Sequence, residues 1–354
     1  MQLLSLKPEK FGLDIKDSSV KVVQLKERPH GFLLSSFNEE RIEPGIVQDG
    51  VIKDEEKLSG IIRDLCKNAK GNKIRTKYVV SALPEEKSFS QVIQMPSMDE
   101  EDMKGAVMFE AENYIPLTID KVYLDFQLIN SDQRQNKCNL LIAATPKPIV
   151  DSYVSCIKKA GLIPYVLEPE SQSVARALVL NRPDTKPIAI IDLRKESTNF
   201  IVYAGKSVRF TCSLPVTSEQ ITGQIAQKLS IPREKAEELK MKSGLLRNAE
   251  CADEIQKAVK PVLDEFVFQI KKYINFYKDH ILVEFFSRDE MLDKIILSGG
   301  GANFKGFADF LSREMHITVE TGNSLLNFIE MKNPYFDKQR SLSFVTSLGL
   351  AMRN

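Results

Sequence analysis

Apolar residues occur in short runs separated by polar turns, and the pattern is similar at the start of each half of the chain. FGLDI, VKVVQLK and FLLSSF predict three strands near the N-terminus, followed by a helical period from 54 to 70. PIAIIDL, NFIVYAG and VRFTCSL predict three strands again, and helices follow them. Strands that alternate with helices in both halves favour an α/β fold.

The segments between and after these two starts also have a clear pattern. Ser97 and Glu100 have the spacing of a capping box, which predicts the start of a helix, and Pro116 would stop that helix. VYLDFQLI and CNLLIAAT then predict a pair of strands. Apolar residues at helical spacing predict a long amphipathic helix from about 252 to 280.

The length of the chain predicts two lobes. Its 354 residues exceed what one ordinary hydrophobic core organises. RPDTKP, which begins at Arg182, places two prolines in a polar stretch and is the best linker candidate. We therefore expect a first lobe over 1–182 and a second over 183–354. A short repeat agrees with this division, because Asp14 precedes Ser19 and Asp192 precedes Ser197 by the same interval.

The composition excludes several classes of function. Hydrophobic residues make up 43% and charged residues 27%, as in folded proteins, and 49 Lys and Arg balance 48 Asp and Glu, which argues against nucleic-acid binding. No apolar run approaches the roughly 18 residues of a membrane span, and the start MQLLSLKPEKF does not resemble a secretion signal, so we expect a cytoplasmic protein. The spacings of the cysteines and histidines predict neither a zinc site nor a redox pair.

A glycine triad is the strongest single signal of chemistry. The predicted strand IILS runs into Gly299, Gly300 and Gly301, and a helix follows. Such a turn allows a ligand to approach the backbone closely, and a helix N-terminus favours negative charge. A tight strand-to-helix turn without a ligand explains the triad equally well.

Two hairpins that carry aspartate are the second signal. Asp14 and Asp192 each end an apolar strand and are each followed by a polar turn. Either aspartate alone is typical of a turn, but two of them opposed across a cleft would hold a hydrated Mg²⁺ ion. The hydroxyl groups that would then surround phosphates belong to Ser18, Ser19, Ser197 and Thr198.

A third, weaker signal lies in the charged helix AEELK. Glu237 and Lys240 are three residues apart and share one helix face. The usual interpretation is a solvated ion pair, and a contact with a ribose becomes plausible only together with the other two signals.

The order of these elements resembles the superfamily of actin, the heat-shock chaperones and the sugar kinases, and within it the PilM family of type IV pilus assembly. The resemblance covers nearly the whole chain. It rests on GLDIKDSSVKVVQL, VVSALPEEKSFSQVIQMPSM, FEAENYIPLTIDKVYLDF, IDLRKESTNFIVY, AEELK, LSGGGANFKGF and SLGLAMR. It implies a two-lobed actin-like fold of duplicated RNase H-like domains, with a small subdomain inserted in the first lobe at about 84–146.

The resemblance also implies ligands and partners. Asp14, Ser18 and Ser19 would form the first phosphate loop, and Asp192, Ser197 and Thr198 the second. Glu237 and Lys240 would approach the ribose of ATP, and Gly299, Gly300 and Gly301 the adenosine, with Mg²⁺ held through water by Asp14 and Asp192. The protein partner would be the cytoplasmic N-terminal tail of the inner-membrane protein PilN, in a groove formed in part by the subdomain that contains residues 110–116. This chain would then lie at the inner membrane through that partner.

One departure from the family affects both phosphate loops. The family has glycine two residues after each aspartate, and here Lys16 and Arg194 stand at those positions. Their side chains would crowd the backbone amides, although both bind phosphate by charge. The sequence therefore predicts weak or altered ATP binding and leaves hydrolysis open.

Two other functions compete with a scaffold. A working ATPase or kinase would need a base such as Glu168 or Glu170, which the sequence does not place in the cleft. A cell-division protein resembling FtsA would share the fold, but its basic amphipathic membrane helix has no counterpart in the tail SLSFVTSLGLAMRN.

Overall fold

Two separate sheets and their helices form the two lobes of this computed structural model. The structure describes residues 8–132, 136–179, 186–246, 249–282, 291–329 and 334–353. Residues 182–185 of the predicted linker lie outside these ranges. The strands, in chain order, are β1 Lys10–Ile15, β2 Ser19–Arg28, β3 Gly31–Arg41, β4 Val47–Gln48, β5 Val51–Ile52, β6 Lys70–Gly71, β7 Tyr78–Leu83, β8 Phe89–Pro96, β9 Val122–Asp132, β10 Lys137–Pro146, β11 Ile163–Pro169, β12 Ile188–Leu193, β13 Thr198–Ala204, β14 Ser207–Ser213, β15 Lys294–Ser298 and β16 Thr318–Thr321.

The helices occupy much of the sequence between these strands. In chain order they are α1 Glu55–Lys67, α2 Glu100–Ala111, α3 Lys147–Lys159, α4 Glu170–Leu178, α5 Ser218–Leu229, α6 Arg233–Lys242, α7 Ala252–Phe276, α8 Phe307–Met315, α9 Lys338–Ser343 and α10 Val345–Ala351. Most of the predicted helices are present. The predicted capping box at Ser97 and Glu100 is wrong, because the side chain of Asp99 caps α2 by accepting from the amide of Asp102.

The first lobe is built on a six-stranded sheet in the order β11-β7-β1-β2-β3-β6. The antiparallel β1–β2 hairpin lies at its centre, and β7 pairs with β1 in parallel. Helices α1 and α3 cover one face through buried residues such as Leu58, Ile62 and Tyr153. This burial stabilises β1, the strand that carries Asp14.

Strands β8, β9 and β10 form a separate three-stranded sheet in the order β8-β10-β9. Val107 and Ala111 of α2 pack on one face of this sheet with Ile93 and Leu140. The predicted pairing of VYLDFQLI with CNLLIAAT is confirmed, since β9 and β10 are antiparallel neighbours. This unit is called the small subdomain below.

The second lobe is built on a five-stranded sheet in the order β14-β13-β12-β15-β16. The antiparallel β12–β13 hairpin and the parallel β15 repeat the arrangement of β1, β2 and β7. The two hairpins also close alike: the amide of Lys16 donates to the carbonyl of Ser19, and that of Arg194 to the carbonyl of Ser197, both at 2.9 Å. The short sequence repeat therefore corresponds to a structural repeat.

The C-terminal helix returns to the first lobe. Helix α10 packs against α4 and β1, and Leu350 lies among Val80 and Ala82 of β7. Helix α10 approaches β1 and α4 closely at Gly12 and Gly349, because a β-carbon added at either glycine would collide with backbone atoms. The last turns of the chain thus help to fix the inner edge of the first lobe.

Candidate nucleotide cleft

A cleft of about 860 Å³ lies between the two lobes. The turns of the β1–β2 and β12–β13 hairpins reach it from opposite sides, because both turns lie at corresponding ends of the two sheets. All predicted nucleotide residues except Thr198 and Lys240 line it. These lining residues are Asp14, Ser18, Ser19, Asp192, Ser197, Glu237, Gly299, Gly300 and Gly301.

Thr198 and Lys240 use their polar groups inside the second lobe. The hydroxyl of Thr198 donates to the carbonyl of Val216 at 2.6 Å. Lys240 is fully buried, and its ammonium group donates to the hydroxyls of Ser218 at 2.7 Å and Thr222 at 2.8 Å. Burial lowers the pKa of Lys240, although Glu237 opposes this at 2.6 Å. In this arrangement Lys240 joins α6 to α5, and Glu237 alone of the pair reaches the cleft.

A buried ion-pair network crosses the floor of the cleft. Glu170, the first residue of α4, binds the ammonium group of Lys16 with one carboxylate oxygen and the guanidinium of Arg194 with the other. Lys16 also lies 3.1 Å from Asp14, and Arg194 Nε donates to Asp192 at 2.5 Å. One carboxylate therefore joins a cation from each hairpin, and with them the two lobes.

The charges in this network stabilise one another. Burial alone would raise the pKa of Glu170, but Arg194 and Lys16 outweigh it and hold that pKa below its usual value. Burial and Arg194 lower the pKa of Lys16, yet Asp14 and Glu170 together bring it above its usual value. Burial lowers the pKa of Arg194 too, but Asp192 and Glu170 raise it well above the usual range. Glu170 is therefore ionised and paired.

The glycine triad has a packing role as well as a place in the cleft. A β-carbon at Gly299 would lie 2.3 Å from the carbonyl oxygen of Leu193, and one at Gly301 would lie 2.5 Å from its side chain. Gly299 also has φ of +77°, which other residues rarely adopt. Gly300 is different, since its nearest neighbour is a side-chain atom of Ser343 at 4.0 Å. Gly299 and Gly301 thus let the turn after β15 pack against Leu193 of β12, whereas Gly300 has no such close neighbour.

The residues present do not fit a magnesium ion. Within the described ranges, Oδ1 of Asp14 and Oδ1 of Asp192 are buried without a hydrogen-bond donor, as a metal-binding carboxylate would be. Lys16, however, lies 3.1 Å from that oxygen of Asp14, although not aligned for a hydrogen bond, and Arg194 holds the other oxygen of Asp192. Mg²⁺ needs six oxygen ligands in octahedral geometry. Here Lys16 already stands beside Asp14, and Arg194 stands beside Asp192.

The profile of the type IV pilus assembly protein PilM family matches residues 12–354 of this sequence. The chain belongs to the PilM family. The resemblance read from the sequence motifs is thereby confirmed.

Solved structures show the same fold. The PilM chain of a "PilM-PilN type IV pilus biogenesis complex" matches at a TM-score of 0.80 and 24% identity, over 98% of each chain. The ethanolamine utilization protein EutJ of Carboxydothermus hydrogenoformans matches at 0.55 and 16% identity, over 98% of this chain and 90% of that one. MreB5 of Spiroplasma citri, solved with AMPPNP, matches at a TM-score of 0.56 and 12% identity, over 96% of this chain and 94% of that one. The two-lobed actin-like fold is therefore confirmed for this PilM-family chain.

Curated relatives in sequence are cell-division proteins. FtsA of Borreliella burgdorferi is 24% identical over 182 residues, which are 48% of this chain and 44% of that protein. FtsA of Helicobacter pylori is 27% identical over 103 residues, 29% of this chain and 21% of that protein. The chain thus spans less than half the length of the curated relatives that it matches. Within the described ranges of this PilM-family chain, no helix has both the length and the apolar character needed to cross a membrane.

A second, smaller groove of about 350 Å³ separates the small subdomain from the second lobe. It lies between β8 and β14, with Phe276 at the end of α7 as a further wall. This feature, called the β8–β14 groove below, is lined by Glu85, Glu86, Ser88, Phe89, Ser90, Gln91, Val92, Arg209, Phe210, Thr211, Cys212, Ser213 and Phe276. No sequence motif pointed to it, because its two sides are brought together only by the packing of the lobes.

Glu85 connects the β8–β14 groove with the cleft. Its carboxylate accepts from the backbone amide of Ser171 at 2.9 Å, one residue beyond Glu170. Burial raises the pKa of Glu85, the Ser171 amide lowers it in part, and Glu170 raises it further, so the pKa is above its usual value.

Glu85 should make stability fall as pH rises. Because its pKa is higher in the folded than in the unfolded chain, the folded state binds more protons between the usual value and the raised value, and the free energy of unfolding decreases with pH across that window. Glu85→Gln keeps an acceptor for Ser171 and removes the titration. We expect the variant to be more stable than the wild type at about pH 8 and to lose that advantage at about pH 5 in urea unfolding. Equal slopes with pH for both proteins would contradict this assignment.

Proposed function

We propose that this chain is a scaffold of type IV pilus assembly that binds the cytoplasmic N-terminal peptide of a PilN-like membrane protein and an adenine nucleotide. Membership of the PilM family over 12–354 is the observation that carries the proposal. A protein of this kind would lie in the cytoplasm, at the inner membrane, through its partner. The proposed partner corresponds to the PilN protein of the PilM-PilN complex.

The nucleotide would lie in the cleft between the lobes. Both hairpin turns line the cleft, and Gly300 leaves open space at its edge. MreB5, which has the same fold, was solved bound to AMPPNP, and this supports a nucleotide as the ligand. ATP is the proposed ligand, and Mg²⁺ is not included because Lys16 and Arg194 stand beside the two aspartates that would hold it.

Binding without fast turnover suits this cleft. A general base must have a free lone pair within reach of the attacking group. Glu170 lines the cleft but is bound by Lys16 and Arg194, and Glu168 is bound by Arg176 at 2.6 Å and by Arg353. The scaffold function is therefore favoured over an ATPase or kinase function.

The β8–β14 groove is the proposed site for the apolar side chains of the peptide. Phe89, Phe210 and Phe276 provide aromatic walls, and Phe276 keeps 41% of its surface exposed. A volume of about 350 Å³ accommodates a few apolar side chains, and recognition of short peptides relies on such anchors. The groove also borders the small subdomain, as the family resemblance requires.

A labelled synthetic peptide tests this proposal by fluorescence anisotropy. The peptide is the cytoplasmic N-terminal segment of a PilN-like protein from the same organism, and a scrambled peptide is the reference. We expect saturable binding of the native peptide only. In Ser90→Tyr, a bulky ring enters the β8–β14 groove from β8, and we expect the peptide to bind at least about tenfold more weakly.

The matched control is Gln127→Tyr. Gln127 is exposed on β9, in the same small sheet but outside the groove, so its replacement should leave peptide affinity unchanged. Equal peptide affinity of the Ser90 and Gln127 variants would move the peptide site away from the groove. No binding of the native peptide to the folded wild type would refute the scaffold function itself.

A further inference from the structure

Five charged groups on the floor of the cleft form a continuous chain of ion pairs. They are the carboxylates of Asp14, Glu170 and Asp192 and the cations of Lys16 and Arg194, linked as Asp14–Lys16–Glu170–Arg194–Asp192. The three carboxylates are at most 3% exposed, whereas the side chains of Lys16 and Arg194 are 16% and 11% exposed. Of these five groups, the two cations are therefore the more accessible from the cleft.

The cations come from equivalent positions of the two lobes. The backbone amides of Lys16 and Arg194 close the turns of their hairpins by donating to the carbonyls of Ser19 and Ser197, respectively. They approach one point, the carboxylate of Glu170, from opposite sides. An anionic group near that point would accept hydrogen bonds from both lobes at once, as Glu170 does in this structure.

We propose that Lys16 and Arg194 are the phosphate-binding groups of this cleft and take the place of a divalent metal ion, so that a nucleotide binds as its metal-free anion. The inference rests on the proposed binding of a nucleotide and adds the charge state in which it binds.

Phosphate suits these two groups chemically. Arginine presents a planar fork that binds two phosphate oxygens, and lysine acts as a compact point charge. The hydroxyl of Thr346 lies 3.4 Å from Nη2 of Arg194 and adds a polar group on the same side. Phosphate oxygens would share or displace the contacts that Glu170 makes, since both are anions that accept from the same donors.

A metal ion on the phosphates would stand close to Lys16 and Arg194, which carry charge of the same sign. Magnesium neutralises part of the phosphate charge, and like charges repel strongly in a partly buried site. Magnesium-bound ATP therefore offers Lys16 and Arg194 less negative charge than free ATP does.

Calorimetric titration of the nucleotide-free full chain with ATP tests the inference. One titration contains EDTA and the other contains excess Mg²⁺. We expect saturable binding in EDTA that becomes several-fold weaker with Mg²⁺. Binding that requires Mg²⁺ would overturn the inference, and so would an absence of saturable binding under both conditions.

Single variants assign the effect to the two cations. Lys16→Gly and Arg194→Gly restore the residue that the family resemblance expects, and each should weaken binding of metal-free ATP at least about tenfold. Lys206→Gly is the matched control: Lys206 is an exposed lysine in the β13–β14 turn with φ of +68°, and it does not line the cleft. Unchanged metal-free affinity in Lys16→Gly and Arg194→Gly would overturn the inference.

The same protein samples separate this inference from the proposed function. Peptide binding that persists while ATP binds only with Mg²⁺ leaves the scaffold function standing and removes the metal-free site. If the folded wild type binds neither the peptide nor ATP, both the proposed function and the metal-free site are refuted.

Discussion

Glu170→Ala is expected to lower the free energy of unfolding by about 3–5 kcal/mol. The carboxylate of Glu170 is 3% exposed and holds both Lys16 and Arg194. Its removal leaves two partly buried cations beside only Asp14 and Asp192, across an interface between lobes. Breaking a buried ion pair from one side is costly because the remaining charge keeps its desolvation penalty.

Urea unfolding followed by circular dichroism measures this loss. Glu238→Ala is the matched control, because Glu238 lies on the surface of α6, bound by Lys235 and Lys242, and should leave stability close to that of the wild type. The effect of Glu170→Ala should also shrink in acid: the pKa of Glu170 is lowered in the folded chain, so its contribution is present above its usual pKa and disappears as pH falls through the lowered value. A stability equal to that of the control variant would show that the network contributes little.

Gly349→Ala is expected to destabilise the fold by about 3 kcal/mol or more. Gly349 lies in α10, where a β-carbon would be only 1.8 Å from the carbonyl oxygen of Ser173 in α4. Both sides of this contact are backbone, so no side chain can move to relieve it. The carbonyl of Gly349 also accepts from Nη1 of Arg176 at 2.8 Å, and separation of the two helices would lengthen that bond.

The control for this prediction is another glycine inside a helix. Gly60 lies in α1, and a β-carbon added there would have no contact within 4 Å, so Gly60→Ala should stabilise the chain by roughly 0.5–1 kcal/mol through helix propensity. Thermal unfolding of the two variants and the wild type gives the comparison. A melting temperature of Gly349→Ala at or above that of the wild type would mean that α10 and α4 do not approach as closely as described.

These two variants probe the same edge of the cleft from different sides. Helix α4 provides Glu170 to the ion-pair network and Ser173 to the contact with α10. Arg194 also reaches Thr346 of α10 at 3.4 Å. The position of α4 therefore depends on both contacts, and displacement of α4 would alter the charges that face a ligand.

Local sequence patterns determined most of the elements. Short apolar runs separated by polar turns predicted the strands of both hairpins, because β1 and β12 are buried along nearly their whole length. The helix predicted from 252 to 280 is largely α7, and its apolar stripe is buried as expected. The start of α2 was misplaced since Asp99 and Ser97 are both good capping residues, and the geometry of the turn decides between them.

The sequence alone also determined the family, the two-lobed α/β architecture and nine of the residues that line the cleft. It identified Lys16 and Arg194 as departures from the family pattern, since this comparison requires only the order of residues. The tertiary structure decided what these departures do. Glu170 is 154 residues from Lys16 and 24 from Arg194, and only the packing of α4 between the lobes brings the three together. The burial of Lys240 and the formation of the β8–β14 groove were decided in the same way, because desolvation and shape depend on neighbours that are distant in the chain.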